Sequence, residues 1–337
     1  MRPPAFWYAS SDRPSPLARL LAPAAFVWRL GGWIRATRRT PWCAPVPVLS
    51  IGNLSLGGTG KTPLAAAIAE RAAARGLRPA ILSRGHGGRL TGPVAVDPTR
   101  HTAAEVGDEP LLLAARVPVF VARDRAAAAR AAVGAGADLL ILDDGHQNPA
   151  LRKDAAIVVV DAETGFGNGR VVPAGPLREP VSDGLMRADL TVIVGAAERR
   201  AAARARWPAL AARPSVGADL LPVPTGLDLG GQRVVAFAGI GRPAKFFATL
   251  RTLGAVVVAA EAFDDHYAYP TAVLRRLVTR AEAADALLVT TEKDAVRLPA
   301  AFRSEVLTVP VRLVPEDWSL LDELLARLTS EAGSHPT

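Results

Sequence analysis

The sequence predicts an α/β protein in which a mainly parallel sheet carries helices on both faces, with a second, smaller α/β unit behind it. Three observations carry this. Apolar runs of strand length recur with alanine-rich helical stretches between them, the alternation that gives parallel strands joined by crossover helices. A glycine-rich turn, Ser55-Leu-Gly-Gly-Thr-Gly-Lys-Thr62, joins the first such strand to the first such helix. A proline-rich stretch, residues 207–225, interrupts the pattern, which then restarts.

In order, strands are expected at residues 46–51, 80–83, 118–122, 138–142, 155–160 and 190–194, with a helix at 64–74 after the glycine turn. Pro63 suits the start of that helix, where a missing N–H costs little. The prolines at 208, 214, 222 and 224 read as a linker or domain boundary. Beyond it, strands are expected at 234–238, 255–259, 286–290 and 306–309. The expected division is therefore an N-terminal segment 1–42, a main unit 43–225, a smaller unit 226–330 and a tail 331–337.

The chain of 337 residues is long enough to bury a substantial core without staples. Its lone cysteine, Cys43, excludes an internal disulfide, so nothing argues for an oxidising compartment and the default is cytoplasmic. The net charge is +8, and residues 1–40 hold seven arginines against Asp12 alone, so six of those charges lie there. The same segment holds Trp7, Trp28, Trp33 and Trp42, with Phe6, Tyr8 and Phe26. Its longest uncharged stretch, 20–28, is far short of the ~20 residues that span hydrocarbon. The reading is an amphipathic helix over about 17–37, lying in the headgroup plane of a membrane. Basic and aromatic residues gathered at one end, rather than along a groove-sized face, argue against nucleic acid.

The glycine turn has the context a phosphate cradle needs. Gly57, Gly58 and Gly60 free the backbone so that successive N–H groups, with that of Thr59, turn toward phosphate oxygens. The helix after Lys61 adds its positive dipole end. Lys61 would reach the β- and γ-phosphates, and the Thr62 hydroxyl would ligate Mg²⁺. Ser55 stands where the general pattern has glycine. The chemistry on offer is phosphoryl transfer or nucleoside triphosphate hydrolysis, with a nucleoside triphosphate and Mg²⁺ implied.

A second set of residues falls at the carboxyl ends of the strands, where an open α/β sheet binds its ligand. The run 137–142 ends in Asp143 and Asp144, and one of these should touch the metal. In Gly107-Asp-Glu-Pro110, Asp108 is a candidate base for an acceptor hydroxyl, and a helix cap is the alternative. His266 lies among acids in Phe263-Asp-Asp-His-Tyr267. Arg84, Arg123, Arg125 and Arg178 follow strands or glycine turns and could hold phosphates in bidentate fashion. Lys293, in Thr290-Thr-Glu-Lys-Asp294, could bind an anion.

Taken in order, Ile51-Gly-Asn-Leu-Ser-Leu-Gly-Gly-Thr-Gly-Lys-Thr-Pro63, Ser83-Arg-Gly-His-Gly-Gly88, Gly107-Asp-Glu-Pro110, Asp143-Asp-Gly-His-Gln147, Phe166-Gly-Asn-Gly169, Pro173-Ala-Gly-Pro-Leu-Arg-Glu179, Asp265-His-Tyr267 and Thr291-Glu-Lys-Asp294 resemble the tetraacyldisaccharide 4′-kinase family over residues 15–325. That resemblance implies a P-loop kinase, with ATP and Mg²⁺ as cofactors, that phosphorylates the 4′-hydroxyl of a tetraacylated glucosamine disaccharide 1-phosphate, forming lipid IVA in lipid A synthesis. It implies a lipid A precursor as acceptor and a peripheral position on the cytoplasmic face of the inner membrane. It further implies a catalytic carboxylate at Asp108 paired with His266, Mg²⁺-linked acids at Asp143 and Asp144, and Glu109 beside the substrate. The family also lacks glycine at the position of Ser55. His146 and Asn148 depart from it, since many members have an apolar residue and a histidine there.

Two other classes fit parts of the pattern. A P-loop GTPase or metallochaperone-type switch would share the loop, but the guanine-reading Asn-Lys-x-Asp is absent: Glu292-Lys293-Asp294 has Glu for Asn and Asp directly after Lys. A membrane-surface ATPase would keep the basic helix and show lipid-stimulated hydrolysis with no labelled glycolipid.

Overall fold

The computed structural model describes residues 4–10, 13–38, 40–224 and 226–332. Its strands are β1 (Val48–Gly52), β2 (Pro79–Ser83), β3 (Val94–Ala95), β4 (Val119–Val121), β5 (Leu139–Asp143), β6 (Ala155–Asp161), β7 (Leu190–Val194), β8 (Ser215–Pro222), β9 (Arg233–Ala238), β10 (Val256–Ala262), β11 (Leu287–Thr291), β12 (Leu307–Val309) and β13 (Val311–Pro315). The helices are α1 (Pro16–Leu20), α2 (Ala22–Thr37), α3 (Lys61–Ala73), α4 (Ala103–Val106), α5 (Asp108–Ala114), α6 (Arg125–Gly134), α7 (Val181–Met186), α8 (Ala197–Arg206), α9 (Pro243–Thr252), α10 (Thr271–Ala283), α11 (Glu292–Ala295) and α12 (Ser319–Ala332).

A nine-stranded sheet runs in the order β13-β8-β7-β6-β1-β5-β2-β4-β3, and a four-stranded sheet runs β10-β9-β11-β12. Among the named strands, β13·β8 and β3·β4 at the edges pair antiparallel and the other pairs are parallel. The two faces of β1 explain why its strand reads as a continuous apolar run. Leu49 and Ile51 enter one core with Leu64, Ile68, Leu324 and Leu328 of α3 and α12, whereas Val48 enters the core under α6 with Leu140, Leu142 and Ala129. Small alanines on α3 and α6 let those helices lie close to the strands. Because β1 lies between β5 and β6 while the chain crosses from β1 to β2 beyond β5, the crevice above β1 and β5 is open to a ligand.

Three sequence readings change. The proline-rich stretch expected to be a linker contains β8, paired between β7 and β13. Its prolines tolerate this because Pro214 precedes the strand and Pro222 ends it, where a ladder N–H is least needed. The unit expected at 226–330 is divided: residues 233–309 form the small sheet with its own two cores, while β13 and α12 return to the large one. Thr225 and residues 333–337 of the expected tail lie outside the described residues. The single helix expected over 17–37 is two, α1 and α2, meeting at Leu21. Pro23 offers no N–H for a continuous ladder, so it falls in the first turn of a new helix instead.

Candidate active site

The turn after β1 is pinned before it reaches the helix. Leu56 N–H donates to Pro176 O (2.8 Å), and buried Asn53 donates from Nδ2 to Ser55 O (2.7 Å). Gly60 then takes φ 94°, a left-handed conformation open to glycine, and starts α3. A Cβ added at Gly57 or Gly58 would meet nothing within 4 Å, so the space beside both glycines is open. Thr59 Oγ1 is buried in that loop with no hydrogen-bond partner among the described residues.

Lys61 and Thr62 open α3 beside the end of β5. Thr62 Oγ1 donates to Asp143 Oδ2 at 3.1 Å, and Lys61 Nζ lies 3.7 Å from Asp144 Oδ1. The adjacent acids shift in opposite directions. Burial, with Glu109 and Asp144 adding repulsion, pushes Asp143 up to about 7. Burial would raise Asp144 too, but Lys61 and Arg178 outweigh it and hold that carboxyl below its ordinary range. Arg178 Nη1 donates to Asp144 Oδ1 at 2.8 Å. Asp144 adopts φ 55°, and so does His266 at 61°, both uncommon for residues with a Cβ.

Asp108 begins α5 and is nearly buried. Gly85 and Gly88 of Ser83-Arg-Gly-His-Gly-Gly88 help position it by close backbone approach. A Cβ on Gly88 would lie 2.6 Å from Glu105 O and 2.8 Å from Gly107 N, so this loop packs directly on the backbone preceding Asp108. From the small sheet, the loop after β10 brings His266 Nδ1 to 2.8 Å from Asp108 Oδ2. Lys293, at the start of α11, pairs with Glu109 Oε1 at 3.3 Å and meets His266 Nε2 at the same distance. Charge-assisted contacts thus join the two sheets across the strand ends.

Between them lies a cleft of about 2260 Å³, lined by Gly57, Gly58, Thr59, Gly60, Lys61, Thr62, Arg84, Glu109, Arg123, Arg125, Asp143, Asp144, Arg178, His266 and Lys293. Arg84 and Arg123 are exposed at its wall. Arg125 is buried and donates to Ala122 O; burial lowers it to about 10 despite Asp143 and Asp144. Apolar Phe26, Trp28, Trp33 and Ile34 of α2 line the same cleft, and Trp28 Nε1 donates to Arg178 O. Such a space suits a polar headgroup with an apolar body.

Several residues escaped the sequence reading. Arg297 Nε lies 3.4 Å from Asp108 Oδ2; its spacing three residues after Asp294 was the available signal. Gln147 donates to Asn53 O and Glu179, and Asn53 itself was visible only as part of Ile51-Gly-Asn. Phe166-Gly-Asn-Gly169 belongs to a different job: buried Asn168 donates to Ala174 O, and its N–H donates to Trp7 O, holding the N-terminal turn. His146 is a packing residue, its Nε2 against Gly184 O at 2.9 Å, with burial pushing it down to about 4.

Comparisons with known proteins agree. A family model described as Tetraacyldisaccharide-1-P 4′-kinase matches residues 17–329. A tetraacyldisaccharide 4′-kinase of Rhodospirillum centenum is 54% identical over 99% of this chain and 99% of its own, and one of Dinoroseobacter shibae is 52% identical over 98% and 99%. The "apo" form of LpxK from Aquifex aeolicus, solved in complex with ATP, superposes with a TM-score of 0.72 at 25% identity, covering 93% of this chain and 99% of that one.

Proposed function

The chain belongs to the tetraacyldisaccharide 4′-kinase family, and from that premise we propose how its residues carry out the reaction. It is an ATP-dependent kinase of lipid A biosynthesis, transferring phosphate to the 4′-hydroxyl of tetraacyldisaccharide 1-phosphate to give lipid IVA. The observation that carries the mechanism is the Asp108–His266 contact: His266 lines the cleft that the glycine loop also lines, and buried Asp108 lies directly behind it.

The loop amides, the Thr59 hydroxyl and Lys61 hold the ATP phosphates, and the dipole end of α3 adds positive potential there. Magnesium fits the residues present: a hydroxyl and a carboxylate, Thr62 and Asp143, converge within 3.1 Å, and such an ion takes one or two protein oxygens with phosphate and water completing its shell. When bound, it would neutralise phosphate charge as the phosphoryl group leaves. Asp144 is held by Arg178 and Lys61 and orients that lysine. Asp108 accepts the proton of the acceptor hydroxyl, and His266 fixes the carboxylate and supports its charge. Lys293 and Glu109 close the same edge, while Arg84, Arg123 and Arg178 receive phosphate oxygens of substrate.

The N-terminal helices present the protein to the lipid. Leu20, Phe26, Val27 and Trp33 are exposed, and no helix of the described residues is long and apolar enough to cross a membrane. Seated in the headgroup plane at the cytoplasmic face of the inner membrane, α1 and α2 leave the acyl chains in lipid while the sugar enters the cleft. The direct test incubates γ-labelled ATP and magnesium with the disaccharide 1-phosphate in detergent. Labelled glycolipid supports this reading; hydrolysis without labelled glycolipid rejects it.

A further inference from the structure

We infer that Arg297 is a positioning residue for the transfer, a strut through which the buried polar core of the small sheet fixes the carboxylate of Asp108. The inference rests on Asp108 being the base.

The strut begins at Asp294, fully buried in the small unit. It accepts hydrogen bonds from Tyr269 Oη (2.7 Å), Gly239 N–H (2.9 Å) and Thr291 Oγ1 (2.6 Å), and from Arg297 Nη2. A carboxylate that deep requires such saturation. Burial and Asp294 both raise Tyr269, so its phenol stays a donor.

Arg297 is anchored in the same unit. Nη2 donates to Gly239 O (3.0 Å), Nη1 to Tyr267 O (3.2 Å) and Nε to Lys293 O (3.2 Å), and the guanidinium lies over the Tyr269 ring at 5.6 Å. With its plane fixed by these contacts and the one Nε hydrogen given to Lys293 O, the guanidinium stands as an ion-pair partner 3.4 Å from Asp108 Oδ2, the same oxygen that meets His266. Both partners come from the small unit and both lie against Oδ2; on this proposal it is Oδ1 that takes the proton. A rigid fork can do this because its donors are coplanar; an ammonium cannot hold the same set of carbonyls and face the carboxylate at once. Arg297 therefore sets where the base stands and takes no part in the proton transfer itself.

The test is a double-mutant cycle on the full chain in detergent, with Arg297→Met and Arg297→Lys each made in the wild-type and Asp108→Ala backgrounds. In the wild-type background, kcat should fall about 10- to 100-fold, the scale of a misplaced reacting group, with KM for ATP changed less than about twofold. In the Asp108→Ala background the same replacements should change the residual rate by less than about twofold, because both act on one step. If Arg297→Met does not fold, Arg297→Lys, which keeps the charge, carries the same cycle. A normal Asp108→Ala defect with a full, additive Arg297 effect overturns this inference alone, as does a raised KM for ATP with kcat unchanged. Wild-type turnover by Asp108→Ala overturns the assignment of the base, and this inference with it.

Discussion

His266 Nδ1 and Asp108 Oδ2 meet at 2.8 Å although 158 residues separate them, and the contact exists only because the small sheet is folded against the strand ends of the large one. Each residue is held by its own surroundings: Asp108 by glycine-to-backbone packing at Gly88 and Gly107, His266 in a left-handed turn. Helix α11 also packs on α5, bringing Lys293 to Glu109. The Asp108–His266 pair therefore forms only when the two sheets are together.

Asp143 makes the metal-free site a source of instability. Its carboxyl, pushed up to about 7 by burial, binds a proton in the native state that the unfolded chain has already lost at pH 5–6. With more protons bound natively, this group's contribution to stability falls as pH rises from about 4 through 7. Asp143→Asn removes the buried charge. In EDTA the variant should melt roughly 4 °C above wild type at pH 8, with the gap closing toward pH 5. A variant melting below wild type at pH 8 contradicts the assignment.

The glycines of the two motifs should respond differently. Gly58 has open space around its missing Cβ and no positive φ, whereas Gly88 faces backbone at 2.6–2.8 Å. Gly58→Ala should melt within about 2 °C of wild type yet weaken ATP binding, since the methyl enters the cradle. Gly88→Ala should lose about 1–3 kcal/mol of stability in denaturant unfolding, because backbone atoms cannot move aside cheaply. Equal melting of the two variants contradicts the packing role of the second motif.

The exposed apolar side chains of α2 should govern lipid partitioning. Replacing Phe26 and Trp33 together with serine removes large apolar surface that touches no core and should cut binding to anionic vesicles about tenfold or more in a flotation assay. Because both side chains also line the cleft, KM for detergent-dispersed acceptor should rise as well, with kcat changed far less. Unchanged flotation rejects the interfacial seat of these helices.

Local chemistry made much of this legible from residues alone. The glycine loop announces itself by flanking strand and helix, and the acid pair by the apolar run that ends in it. Other features depend on pairing between distant segments. β8 was hidden because its bounding prolines look like linker, and β13 because a short run beside β12 gives no sign of which sheet it joins. The Asp108–His266 pairing came from family resemblance rather than spacing, and Arg297 had no local pattern pointing at Asp108. Ser83-Arg-Gly-His-Gly-Gly88 was visible as a motif, but its purpose, supporting Gly107, appears only when the two loops are seen in contact.

The most direct measurement is single-turnover transfer from γ-labelled ATP to the disaccharide 1-phosphate by Asp108→Asn, paired with its affinity for ATP. Asparagine keeps the shape of the side chain but cannot serve as the base. Transfer should drop about 10²- to 10⁴-fold while ATP binding stays within about threefold of wild type, the loop being untouched. Transfer at the wild-type rate would mean that the acceptor hydroxyl loses its proton elsewhere, and that Asp108 and His266 meet for structure alone.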